Sequence, residues 1–258
     1  MKKIPYLIFF IFLFGNSLVF AENKWSEHKA QHFIIYYTNA PMDFVKSVEE
    51  MAEQYYVEIT DNLGFTRYRN WSFDDRAKIY IYDGQDDYVA SAKLMKWSHG
   101  AASAVKKEIW TFPTAHGFFD STLPHELGHI IFREFICPYA QVPLWLEEGV
   151  AMFQEKAKRW GTNKIVREAI SRGTFIPLNE LTWMALNSQT PKNEVDLFYA
   201  ESANIVYFLI TEFGEQRFVN FCRKLKQGAG FDNSLTFVYT RFRNIDDLNK
   251  AWRKYLDE

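Results

Sequence analysis

The chain has 258 residues, of which 48% are hydrophobic and 18% aromatic, and it carries a formal net charge of −2. That length can bury a substantial core in one domain or two lobes. The mild acidity leaves no basic field for nucleic acid, so nucleic-acid binding is not expected.

The chain opens Met1-Lys2-Lys3, runs apolar from Ile4 to Phe14, and reaches Ala21 through Gly15-Asn16-Ser17 and Val19-Phe20. A charged start, an apolar centre and a small residue at the end predict a signal peptide over residues 1–21, cut after Ala21. The apolar run is short for a membrane span. A secreted or periplasmic address is therefore expected, with no stable span left after cleavage; an uncleaved anchor is the alternative. Cleavage would remove two lysines and no acid, leaving a formal charge of −4 on residues 22–258.

His32 to Thr38 is β-branched and aromatic and reads as a strand, ended by Asn39-Ala40-Pro41. Over residues 42–62, Phe44, Val48, Met51, Ala52, Tyr55 and Ile59 recur at helical spacing, with Gly64 as the C-cap. Residues 66–76 read as a loop in which Arg67, Arg69 and Arg76 are solvated charges. Lys78 to Tyr82 is a second strand, followed by a short helix from about Asp86 to Met95. Strand character returns at Ser103-Ala104-Val105 and Glu108 to Phe112, with Lys106-Lys107 as a hairpin turn or exposed edge. His28, His32, His99 and His116 read as surface or loop histidines.

The most informative stretch is Leu123-Pro124-His125-Glu126-Leu127-Gly128-His129. Ser121-Thr122 before Pro124 is a helix-start signal, and Leu127, Ile130 and Ile131 supply an apolar stripe. Four residues of helix turn the side chain through roughly 40° net, so His125 and His129 project from one face. Two imidazoles placed so are two of the ligands a tetrahedral zinc needs. Glu126, on the flank of that face, can take a proton from an activated water without binding the metal. Eighteen residues, 130–147, separate His129 from Glu148 in Trp145-Leu146-Glu147-Glu148-Gly149-Val150-Ala151, on a helix opened by Pro143 and predicted to run to about Lys158. Helical geometry lets only one of the adjacent carboxylates face the metal.

His-Glu-x-x-His, this gap, and a Glu before Gly resemble the gluzincin metallopeptidases. The Trp-Leu-x-Glu-Gly-x-Ala segment is similar to the third-ligand helix of the aminopeptidase N and peptidase MA-like branch. The resemblance implies Glu148 as third ligand, with Glu147 its rival, and one Zn2+ per chain. It implies a peptide or protein substrate and an antiparallel edge strand, mapped onto 101–112, that pairs with extended substrate. The segment Phe198-Tyr199-Ala200-Glu201-Ser202 is similar to the region that supplies a Tyr to the developing oxyanion, so Tyr199 takes that role, or else is a core aromatic. No Gly-x-Met-Glu-Asn exopeptidase motif precedes the zinc helix, which leaves endopeptidase action open. The orienting carboxylates for the histidines are among Glu147, Glu155 and Glu201.

From Lys164 onward, segments 164–172, 195–213, 215–227, about 232–241 and 245–256 show helical periodicity, punctuated by glycines. The expected fold is α+β and gluzincin-like. A mixed lobe over about 30–160 holds a small, mostly antiparallel sheet and the zinc-motif helices; a helical lobe follows over about 161–258. Cys137 and Cys222 form either one disulfide or two separate buried thiols. The expected function is zinc-dependent peptide hydrolysis. The alternative is a zinc-containing binding or assembly module of the same fold without turnover.

Overall fold

A computed structural model describes residues 25–65, 71–92, 100–115, 117–187 and 189–257. The predicted leader, residues 1–21, lies outside these, as do Arg67, Arg69, His99 and His116. Strands β1 (Ser26–Lys29), β2 (Phe33–Tyr37), β3 (Ala77–Ile81), β4 (Gly100–Ser103) and β5 (Glu108–Thr111) form one sheet in the order β1-β2-β3-β5-β4. The outer pairs are antiparallel and β2, β3 and β5 run parallel. The sheet is thus mixed, correcting the mostly antiparallel expectation. Helix α1 (Met42–Asn62) is the cause: it carries the chain back across the sheet, so β3 re-enters in the direction of β2. The edge beside the motif helix is β4 alone; β5 is interior.

Phe33, Ile35, Ala77, Ile79, Ile81 and Ile109 are fully buried on one face of the sheet. They alternate with half-buried neighbours, as the strand period of two requires. Helix α1 buries Val45, Val48, Ala52, Tyr55 and Ile59, one stripe at helical spacing. Gly64 ends it at φ 68°, its N–H bonded to Asp61 O at 2.9 Å. One flank of α1 carries Glu49 and Glu53, one turn apart, which bind His28 at 2.6 Å and His32 at 2.5 Å. His32 is buried and stacked on Tyr56 rather than on the surface.

After α2 (Gln85–Ala92) and the β4–β5 hairpin, which turns at Lys107 with φ 53°, the chain is helical. The motif helix α3 spans Leu123–Ile136 and α4 spans Leu144–Phe153. Next come α5 (Lys156–Arg172), α6 (Leu178–Trp183), α7 (Lys192–Phe213), α8 (Glu215–Lys226), α9 (Phe231–Val238) and α10 (Ile245–Asp257). One cluster of buried apolar side chains joins the sheet, α1 and α3 to these helices. No described helix is long and apolar enough to cross a membrane. Cys137 is exposed, Cys222 is buried, and both are free thiols.

Two glycines set how tightly the central helices approach. A Cβ on Gly128 of α3 would stand 2.9 Å from Ala151 Cα of α4, and one on Gly149 of α4 would stand 2.2 Å from Ser202 O of α7. Only a bare Cα lets those backbones touch. The three helices are thereby locked side by side, and the functional side chains stand along their common edge.

Candidate metal centre

Two local departures from the expected helices shape the site. The chain before α3 is not a capped start but a wide helical turn, Phe118–Thr122, running straight into α3; Thr122 is itself helical and its side chain makes no cap. Ser121 is therefore free to donate its hydroxyl to Glu155. The helix expected to run to Lys158 breaks after Phe153, and Glu155 takes an extended backbone (φ −77°, ψ 94°) before α5 begins at Lys156. No Gly or Pro marks that break. Its effect is to turn a fully buried carboxylate back to His125, with Nδ1 to Oε1 at 2.9 Å.

The side chains of His125, His129 and Glu148 converge. The two Nε2 atoms are 3.1 Å apart, and each lies 3.6 Å from Glu148 Oε2. A tetrahedral zinc with bonds of about 2.0–2.1 Å has ligand edges of about 3.3 Å, so the triangle has the right size. The neighbouring Glu147 points elsewhere, gripping Arg133 through both oxygens (Nε to Oε1 2.6 Å). Of the two adjacent carboxylates, Glu148 is the one that faces both imidazoles. Glu147 stands behind His129 instead, with Oε1 3.8 Å from its Nδ1.

The protons say the same. Because Glu155 is an acceptor, His125 donates from Nδ1, and in its neutral form its Nε2 presents a lone pair. If His129 holds its proton on Nδ1, two lone pairs face each other across 3.1 Å. If it holds it on Nε2, its Nδ1 lone pair faces Glu147, and that buried atom has no hydrogen-bond partner. A protonated His125 would place a donor between them, and a cation held by the Nε2 atoms and Glu148 would take the same place.

The electrostatics match. Burial works against a charged His125, but Glu148 and Glu155 outweigh it and lift its pKa to about 10. Burial would likewise raise Glu148, yet the two imidazoles hold it at about 2. Glu126 is pushed up by burial, against the pull of both histidines. Carboxylates thus outnumber what the imidazoles answer, and the centre favours positive charge. Among the described residues, the Glu126 carboxylate makes no hydrogen bond or ion pair.

Glu126 and His125 line a cavity of about 720 Å³ together with Gly100 of β4, Ser121, Thr162 and Tyr199. Tyr199 stands on α7, three residues before the Ser202 carbonyl that packs on Gly149. It is half-buried, and its pKa is pushed up to about 12 by burial first and then by Glu148, Glu126 and Glu155. That coupling brings it within electrostatic reach of the same carboxylates. Its hydroxyl therefore keeps its proton and can donate it. Glu201, by contrast, points away: it accepts the Ile176 N–H at 3.0 Å and takes no part in the centre.

Sequence reasoning could not choose among Glu147, Glu155 and Glu201, and it missed Ser121 as Glu155's partner. The only advance signal was a polar Gln-Glu pair (Gln154-Glu155) interrupting an apolar helix.

A family model described as Peptidase MA superfamily matches residues 70–258, a span that contains all of these side chains. No curated protein matches the chain.

Proposed function

The chain belongs to the Peptidase MA superfamily, generally zinc-dependent peptidases acting on peptides or proteins, and from that premise we propose a specific reading: a zinc metallopeptidase using His125, His129 and Glu148 as ligands and Glu126 as general base. The observation that carries it is the triangle of donor atoms with edges of 3.1, 3.6 and 3.6 Å, beside a carboxylate left unpartnered. A zinc held there would supply Lewis acidity, polarising the scissile carbonyl and acidifying a water.

The chain's own residues do the rest. Glu126 takes the proton of the attacking water and passes it to the leaving amine. Its raised pKa, caused mainly by burial, suits both halves of that task better than an ordinary carboxylate would. Tyr199 donates to the oxygen on which negative charge develops. Glu155 fixes His125 through Nδ1, Ser121 fixes Glu155, and the Glu147–Arg133 pair backs His129. The β4 edge, with Gly100 in the cavity wall, is where an extended substrate would add a strand. The apolar leader supports export as the setting. The alternative of a non-catalytic zinc module is disfavoured by Glu126, since a structural site has no use for an unpaired base.

The test is digestion of a diverse peptide mixture, read by mass spectrometry. Purified protein should carry about one zinc per chain and cut the mixture. Chelator should stop cutting, and Glu126→Gln should keep zinc while losing turnover. Cutting that survives in Glu126→Gln would remove the general base, and zinc-loaded protein that cuts nothing would favour the binding module.

A further inference from the structure

Helices α5 and α7 run antiparallel past the metal centre and continue beyond it. On α5, Thr162 and Ile165 line the catalytic cavity; Ile165, Glu168 and Arg172, at steps of three and four, line a second and larger cleft of about 1140 Å³. On α7 the stripe Tyr199, Asp196, Asn193 leads backward from the first cleft to the second. Ile165 and Asp196 belong to both walls, so the two clefts are one trough. Its far end is closed by Phe175, Ile176 and α6, where Trp183 stands 87% exposed.

The trough pairs an apolar surface with one sign of charge. Among the described residues, four carboxylates line its larger cleft, Glu168, Glu180, Glu194 and Asp196, against one guanidinium, that of Arg172. Glu168 is already answered by Arg172 at 3.8 Å, and Asp196 by Lys192 at 2.8 Å. Glu180 and Glu194 make no ion pair among the described residues. Each lies in the first turn of its helix, which a carboxylate favours for the dipole alone. That explains each acid singly. It does not explain why both face one trough beside an exposed indole.

Resting on the metallopeptidase reading, we infer that this trough holds the substrate chain to one side of the cleaved bond and selects segments with a basic residue beside a large apolar one. The reach follows from geometry. From Thr162 to Arg172 is about 15 Å of helix at about 1.5 Å per residue. An extended peptide covers that in four to five residues at about 3.3 Å each. The basic side chain therefore belongs within about five residues of the cut.

The test compares zinc-loaded wild type with Glu180→Lys/Glu194→Lys on a proteome-derived peptide mixture, cut positions being read by mass spectrometry. Wild type should show Lys or Arg enriched within five residues on one side of the cut. The charge-reversed protein should lose that enrichment yet keep cutting neutral peptides. On a matched pair of peptides, kcat/KM for the basic one should fall about tenfold, as expected for two partly exposed charge pairs. Identical cut profiles in the two proteins would overturn the inference and leave the peptidase reading intact. A parallel arm needs no turnover: anisotropy of a labelled Arg- and Leu-containing peptide on Glu126→Gln protein, with and without the reversal. If wild type cuts nothing but this binding depends on Glu180 and Glu194, the peptidase reading falls and the trough stands. Binding indifferent to the reversal overturns the trough in either case.

Discussion

Two polar centres flank α7, one fully buried and one half-buried, and they differ in how their groups are answered. Toward α10, Asn204 is fully buried, yet both ends of its amide are answered. Its amide nitrogen donates to Asn163 at 2.5 Å, and its oxygen accepts the Trp252 indole N–H at 2.7 Å. Toward α3 and α4, the half-buried His125, His129 and Glu148 bring their ligating atoms to 3.1–3.6 Å of one another, and His129 Nδ1 is left without a partner. A buried polar group unpaired in the folded protein costs about 1–3 kcal/mol. In this cluster His129 Nδ1 is such an atom, and the surplus of carboxylates beside it suits a cation.

The sharpest way to break the contrast is a pair of single variants. His129→Ala should abolish stoichiometric zinc, by metal analysis, and take turnover to background, while the fold survives as judged by circular dichroism. Asn204→Ala should do the reverse. Zinc content should hold, and unfolding free energy should drop by about 1–3 kcal/mol. If Asn204→Ala also emptied the zinc site, the two centres would not be independent and the contrast would fail.

Within the metal side, Tyr199 comes next. If it donates to the developing oxyanion, Tyr199→Phe should lower kcat by about 10²-fold with zinc content unchanged, the size found when a single such donor is removed. Unchanged kcat would return Tyr199 to the role of a cleft-lining aromatic. Glu155→Gln should act more gently. It keeps the shape but weakens the hold on His125, so zinc affinity should fall about 10–100-fold, measured by competition with a chromogenic chelator. Because Ser121 only steadies Glu155, Ser121→Ala should fall short of that.

The contrast also explains what could be read from the chain alone. That His125 and His129 share a face was legible because a regular helix converts spacing into direction; Glu148 was preferred to Glu147 only through the resemblance. The helices at 215–227 and 245–256 were legible because each has one apolar stripe, and that at 195–213 because it is a long apolar run buried on nearly every side; observed bounds differ by a few residues. Strand β1, with the sequence Ser-Glu-His-Lys, has no such stripe, because at the sheet edge it pairs through backbone and faces water. Parallel pairing was invisible because it depends on where α1 lands, not on any strand's composition. Glu155 was invisible as His125's partner because the break that aims it has no Gly or Pro and is imposed by tertiary contact. Likewise, Glu147 and Glu148 are chemically identical; Arg133, fourteen residues upstream, separates them by capturing one.

The last prediction tests the α10 side of α7 at a carboxyl that is only half answered. Glu201 is fully buried; Oε1 accepts the Ile176 N–H, but Oε2 has no partner. Burial raises its pKa to about 8, the Ile176 N–H and the charge of Arg253 offsetting only part of this. The folded protein therefore keeps a proton there over a range in which the unfolded chain, near 4.5, has lost it. Folded-state excess of bound protons makes stability fall as pH rises, by at most about 1.4 kcal/mol per unit for one group. The loss should begin above the unfolded value and level off past the folded one. Glu201→Gln holds the neutral form permanently and can still accept from Ile176. Denaturant unfolding from pH 5 to 8, without metal so that zinc release does not intrude, should show wild type losing stability relative to the variant. Parallel curves would mean that Glu201 ionises in the fold as readily as in water, and that α7's core-facing side admits solvent as its cleft-facing side does.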